Sequence, residues 1–372
     1  MKKSDAGLNA KSSFEYLKVF CIAVLSRLLL FFAAVTLYRI SGGNTSLRNI
    51  FSNSGDVPHY LNIAEHWYQS SGDNANLIVF YPLYPVLMAV FRVIFRSYLL
   101  SGLIISYISF GLASLYLYRL LRLDYSAEKT AGGMLLLMLA AYGVFFISAH
   151  TESLFIMLLA MGFFYIRERK WLAAAIIGFF AALTRTQGVL LFLPLIYEIV
   201  LEAVKTKKFK GIYLSSLLVP AGYICYLLLN LAICGDAFKF LEYQAAKPWY
   251  NTSKWIAQGL ETSYSVGARN PQLALYVYHA QIAAYFIGVA AIFAGAYKRV
   301  RTSYLLFTGA YIGITYFHGW MLSGCRYTMA CLPLYIIFAA IDNKYVKYII
   351  ILISGMLMLP IAVLWLRGYA IM

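Results

Sequence analysis

Charge is what this sequence has least of. Asp, Glu, Lys and Arg together make up 12% of it, against 62% hydrophobic residues and a mean hydropathy of +0.71. So few polar groups cannot cover a water-facing surface, which excludes a soluble globule. The five cysteines include no CxxC pair. Cys21, Cys225 and Cys331 fall inside apolar runs, so at most Cys234 and Cys325 can meet outside them, and no disulfide framework is expected. There is no GxxxxGK[ST] and no GxGxxG segment, and a nucleotide pocket has no support. Histidines are five, His59, His66, His150, His279 and His318, with no zincin-type spacing among them. The expected metal site is none, and no cofactor is expected.

What the chain does have is apolar runs separated by short basic connectors. About twenty apolar residues at 1.5 Å rise cross a hydrocarbon core of about 30 Å. On that scale the candidate spans are 18–40, 98–118, 130–149, 152–166, 171–184, 188–204, 211–233, 272–297, 302–318, 327–341 and 345–366. The first is read as a retained span, since the run Val19 to Tyr38 is long and lacks a small-residue cleavage site. The stretch 80–97 is apolar too, yet it carries Pro82, Pro85, Arg92 and Arg96. If it crossed, the clusters RERK (167–170), KTKKFK (205–210) and KRVR (298–301) would all face outward, against the cytoplasmic bias of positive loops. It is therefore expected to lie in the outer interface.

The expectation is an all-α polytopic membrane protein of eleven spans. It forms a single domain over residues 1–372, with outer loops at 41–97 and 234–270. The net charge of +16 is assigned to topology and anionic lipid headgroups, and nucleic acid is not an expected partner.

This topology carries the remaining polar residues to the outer face. Asp56, His59, Glu65, His66, His150, Glu152, Arg185, Gln187 and the segment from His318 to Arg326 all arrive there. Each has a plain alternative reading. Asp56, two positions before Pro58, suits a helix N-cap as well as a catalytic carboxylate. Glu152 suits a helix N-terminus and Arg185 a helix C-terminus, with Gly188 placed for the turn. Arg326 suits an interfacial anchor, and Arg27, about nine residues into the first span, suits a cation snorkelling inward. None of these readings explains why Asp56, Glu152, Arg185 and Arg326 gather on one side.

The residues at that face carry a resemblance. GDVPHYLNIAEHWY (55–68) resembles the WDxxWYxxIAxxGY signature of the PIG-V-like mannosyltransferases, with Asp56, Tyr60, Ile63 and Ala64 in register. FYPLYPVL (80–87) is similar to that family's FFPLYPLL, TESLF (151–155) to its SESLF, RTQG (185–188) to its RxxG, and CRYTMACLPLY (325–335) to its late RY-plus-Pro block. The blocks keep the family's order over most of the chain. Gly55 and His59 depart from it, standing where tryptophans are usual.

The resemblance implies the C-type glycosyltransferase fold. It also implies a polyprenyl- or dolichyl-phosphate sugar donor, typically mannose, and an acceptor hydroxyl on a glycolipid, glycan or protein. Such a transfer needs a base, a cation for the developing phosphate charge, and surfaces for a sugar. The expected base is Asp56, with Glu152 holding substrate or orienting an arginine. Arg185 and Arg326 are expected at the phosphate. Substrate contacts are expected from His59, Tyr60, Tyr81, Tyr84, Gln187 and Tyr327, with Trp67, Trp249, Tyr250 and Trp255 as further stacking surfaces. The competing reading is a multi-span transporter or lipid flippase, against which stands the lack of a clear internal repeat.

Overall fold

The computed structural model describes residues 2–319 and 323–371, with side chains from Ser13 onward. Residues 320–322, part of the turn expected before Arg326, lie outside them. In chain order the helices are α1 (Lys2–Ile40), α2 (Leu47–Asn53), α3 (Val57–His66), α4 (Leu83–Phe95), α5 (Tyr98–Arg122), α6 (Ala127–Met138), α7 (Glu152–Arg167), α8 (Trp171–Ala182) and α9 (Phe192–Thr206). There follow α10 (Leu218–Cys234), α11 (Lys239–Ala245), α12 (Ile256–Arg269), α13 (Pro271–Leu273), α14 (His279–Tyr297), α15 (Thr302–Tyr316), α16 (Gly324–Ala330), α17 (Pro333–Ala340) and α18 (Lys344–Leu366). No strand occurs among the described residues.

Among the described residues six helical stretches are long and apolar enough to cross a membrane: Ser13–Ile40, Tyr98–Arg122, Thr186–Thr206, Gly211–Cys234, Pro271–Tyr297 and Lys344–Leu366. Two of them start at side-chain caps that satisfy amides lacking an intrahelical partner. Ser97 accepts from Leu100 N ahead of α5, and Asn343 accepts from Tyr345 N and Val346 N ahead of α18. Their outer faces stay apolar, with Leu29 and Phe32 of α1 and Leu352 and Ile353 of α18 exposed. A surface of that kind is stable against hydrocarbon, so the chain is an integral membrane protein.

Two expected segments come out differently, and a third, 80–97, forms a short helix. The span 130–149 is interrupted, because α6 stops at Met138 and the chain turns before a short 3₁₀ segment at Gly143–Phe146. The carbonyls at the break find other donors: Arg27 Nη2 reaches Met138 O, and Ser354 Oγ donates to Leu139 O at 2.8 Å. Arg27 therefore does not snorkel; it is wholly buried, with its guanidinium 4.6 Å from the Phe110 ring centroid. The span 327–341 is split into α16 and α17 ahead of Pro333, a residue that disfavours helix in the position before it. The stretch 80–97 forms α4, whose 13 residues end at Arg96 in the left-handed region, φ 57. At about 20 Å such a helix is shorter than a hydrocarbon core of about 30 Å.

The two ends of the bundle hold different charges. At one end Lys129 and Lys298 close on Asp342, Arg167 on Asp124, Arg301 on Glu198 and Lys210 on Glu202. Helix α7 runs from that end, at Arg167, back to Glu152. There the other group of charges is found.

Candidate functional site

Asp56 immediately precedes α3, yet its side chain makes no capping hydrogen bond, which removes the N-cap reading. Its Oδ2 instead accepts from Arg326 Nη1 at 2.6 Å, across 270 residues of sequence. Arg326 also donates through Nε to Glu152 Oε1, and Arg185 Nη1 donates to the same oxygen at 2.5 Å. The result is a neutral chain of four charges, Asp56, Arg326, Glu152 and Arg185. The guanidinium of Arg185 lies 4.3 Å from the Tyr327 ring and that of Arg326 4.6 Å from the Phe145 ring. Gly188 allows Arg185 to be placed there, since a Cβ at that position would stand 1.9 Å from Ala181 O and push the segment off α8.

The two carboxylates are not equivalent. Glu152 is 0% exposed and sits behind the arginines, whereas the side chain of Asp56 is 18% exposed and opens on a cavity of about 770 Å³. Only Asp56 is placed to meet a substrate. Burial pushes its carboxyl up, but the charge and hydrogen bond of Arg326 together with the nearby His150 hold it below the usual carboxylate range.

Of the residues expected at substrate, Tyr60, Tyr81, Arg185, Gln187, Arg326 and Tyr327 line this cavity with Asp56. Tyr81 is held by stacking on Tyr226 at 4.0 Å and by a 3.0 Å hydroxyl contact to Thr186. Two expected residues do not line it. Tyr84 is wholly buried, its hydroxyl donating to Gly102 O at 2.9 Å and meeting Ser106 Oγ at 3.0 Å, so it holds α4 to α5. His59 stacks on Phe80 at 5.1 Å and meets the edge of Trp249 at 5.3 Å, supporting the wall from behind. Trp67 is also away from the cavity, paired with Tyr68.

The wall also contains Tyr223 and Asn251, which no motif marked, beside Thr186 of RTQG, His318, and Trp249 from the 234–270 loop, the last expected as a stacking surface. That loop is tied across the opening by Gly319 N, which donates to Thr252 O at 2.8 Å. His150 lies beneath Asp56, wholly buried, with Nδ1 2.8 Å from Ser148 Oγ. Burial and the nearby Arg326 push its imidazole down to about 4, so it is neutral at physiological pH. Among the described residues no group of three or more His, Cys, Asp and Glu side chains is arranged to hold a metal ion. Compared with known proteins, the chain matches no family model and no curated protein.

Proposed function

We propose that this protein is a membrane glycosyltransferase of C-type architecture. It moves a sugar, mannose in this reading, from a polyprenyl- or dolichyl-phosphate donor to an acceptor hydroxyl on the extracytoplasmic face. The supporting observation is that Asp56, the more exposed carboxylate of the buried charge chain, shares Arg326 with Glu152 at the edge of a cavity walled by Tyr60, Tyr81 and Trp249. A phosphate-linked donor is what this arrangement suits. Guanidinium groups match a phosphate by charge and by paired donors, and aromatic rings suit the apolar faces of a sugar.

In the resting state Arg326 occupies Asp56 and keeps it a weak base. A donor phosphate competes for that guanidinium, and Asp56 is then released to accept a proton. The acceptor hydroxyl attacks the anomeric carbon from the face opposite the phosphate. Its O–H proton passes to the Asp56 carboxylate, the bond from the anomeric carbon to the phosphate oxygen breaks, and that electron pair stays on the phosphate. The developing charge is met by Arg326 and Arg185, while Glu152 orients both arginines. Configuration inverts.

The eleven-span arrangement belongs to the same reading, with α4 in the outer interface beside the lipid tail. Its supports are the length of α4 and the separation of the two groups of ion pairs. The test is transfer from radiolabelled polyprenyl-phosphate sugars in membranes containing the protein, against a nucleotide-sugar control. A new glycosidic product from the lipid donor alone is expected. Product from the nucleotide sugar alone, or movement of labelled lipid between leaflets with no new glycosidic bond, would overturn the reading in favour of another transferase or of a flippase.

A further inference from the structure

The basic end of the bundle holds a second cavity, of about 670 Å³, in the corner between the α7–α8 turn, α8 and the segment that follows α9. Part of its lining is charged. Arg169 and Lys170 come from the turn, Lys210 closes the KTKKFK connector, and Glu202, near the end of α9, stands among them. The rest is apolar. Leu172 and Ile176, one turn apart on α8, line it together with Ile212, and all three are exposed. Phe180 is exposed at the next turn of α8, so the apolar lining runs on into a stripe along that helix.

Three cations against one carboxylate leave this corner with an excess of positive charge, and the carboxylate does not hold them equally. Glu202 is buried, and its Oε1 accepts from Lys210 Nζ at 2.7 Å and from Tyr213 OH at 2.8 Å. Tyr213 in turn meets the edge of the buried Trp171 ring at 6.3 Å, which fixes the inner side of the corner. Glu202 Oε2 has no hydrogen-bond partner; Arg169 Nη1 stands 3.4 Å from it, an ion pair without a hydrogen bond. Among the described residues the Lys170 ammonium has neither an ion pair nor a hydrogen bond. Lys210 is thus committed to Glu202, whereas Arg169, 64% exposed, and Lys170, also exposed, keep donors to offer.

We infer that this cavity binds an anionic glycerophospholipid from the leaflet at the basic end, its phosphate on Arg169 and Lys170 and an acyl chain along Leu172, Ile176 and Ile212. Positive charge alone would equally draw a soluble phosphate. Such a ligand has no use for the apolar lining, whereas an amphiphile uses both parts of the corner. The inference does not depend on the transferase reading, since the cavity shares no lining residue with the one at Asp56.

The test is lipid binding to the purified, delipidated full-length protein in detergent, read by native mass spectrometry with dioleoyl phosphatidylglycerol as probe. One retained lipid is expected, with dioleoyl phosphatidylcholine about tenfold weaker; equal retention of the two would overturn the role of charge. Arg169→Asn with Lys170→Gln removes both open cations. Asparagine is chosen because residue 169 has φ 55, a left-handed backbone that asparagine accepts. Loss of two charged hydrogen bonds, at about tenfold each, is expected to weaken retention roughly a hundredfold. Lys205→Gln with Lys208→Gln removes the same charge from the same end without touching the cavity, and screening should hold its effect to about a few-fold. Equal losses in the two pairs mean diffuse attraction to the whole basic end, and sink the site.

Inorganic phosphate and glycerophosphoglycerol, the headgroup without its chains, serve as competitors in large excess. Neither is expected to displace the lipid, and displacement by either would make the ligand a soluble phosphate. Melting curves show first that each variant is folded, and then give a second readout. The phosphatidylglycerol-induced rise of the midpoint is expected in the parent protein and in the Lys205–Lys208 pair, and is expected to vanish in the Arg169–Lys170 pair. A rise that persists there overturns the assignment of the phosphate.

Discussion

A carboxylate clamped by two cations occurs at each end of the bundle, Asp342 at one and Glu152 at the other, and what separates these two clamps is burial. Asp342 between Lys129 and Lys298 is 62% exposed, whereas Glu152 between Arg185 and Arg326 is 0% exposed. In water such a clamp is screened and its members are replaceable. Out of water each charge depends on its partners, because an unpaired buried ion keeps its full desolvation cost. The exposed clamp uses lysines, compact point charges, and the buried one uses arginines, whose planar forks serve two partners at once. The Asp342 clamp can tolerate loss of any member. The cavity end is a single unit.

The comparison breaks most visibly at Asp56, which has no counterpart at the basic end. Asp56→Asn keeps an oxygen for Arg326, so thermal stability in detergent should hardly change while transfer falls by about 10² to 10⁴-fold, the range for loss of a general base. Near-normal turnover in that variant would remove Asp56 from the chemistry. Next comes Glu152→Ala, which strands two buried guanidinium groups and should cost about 3 to 5 kcal/mol of stability. Asp342→Ala should leave the melting midpoint of the solubilised protein within error. Equal losses at the two sites would show that burial is not what separates them.

The two arginines sharpen the comparison further. Arg326 binds both carboxylates, and Arg185 binds only Glu152 in an ion pair. Arg326→Lys should therefore weaken donor use by about ten- to a hundredfold, the range for charged hydrogen bonds, and Arg185→Lys by less. Kinetics with varied donor check this, and the opposite ranking would move the phosphate to Arg185.

The smallest effect is on stability against pH. The folded value of His150, about 4, lies below the ordinary histidine value of about 6.5. Between those two the unfolded chain binds a proton that the folded chain does not, so stability falls as pH drops from about 6.5 toward 4. His59, also pushed down by burial, contributes in the same direction. Asp56 adds a loss only below about pH 4, as pH falls through its depressed folded value. Melting curves at stepped pH should show the first of these slopes reduced in His150→Gln, and an unchanged slope would count against a neutral buried ring.

Helical membrane architecture was readable from hydropathy, and the polar end was readable because charge is rare enough for its few outer carboxylates to stand out. The meeting of Glu152 with Arg185 followed from two short helices returning to one end. Other features had no local signal. The break after Met138 has no clear signal in the mostly apolar run 130–149, and the side chain that satisfies its freed carbonyl lies 111 residues earlier. His150 looked like one outer histidine among five, and only the folded chain buries it and brings Gly55 beside it. The placement of Tyr84 was misread for a related reason: a tyrosine in a motif looks the same whether its hydroxyl faces a ligand or Gly102 O.

Arg27 and the carbonyl it caps also set an order of events during synthesis. The guanidinium sits in α1, and its acceptor, Met138 O, is made 111 residues later. Until α6 arrives, α1 carries an unshielded cation that costs about 2.5 to 3.5 kcal/mol at mid-bilayer. Release of α1 into lipid is therefore expected to wait for α6. Nascent chains stalled before Met138 should leave α1 crosslinked to the insertion machinery, and chains stalled well past it should not; Arg27→Leu should abolish the difference.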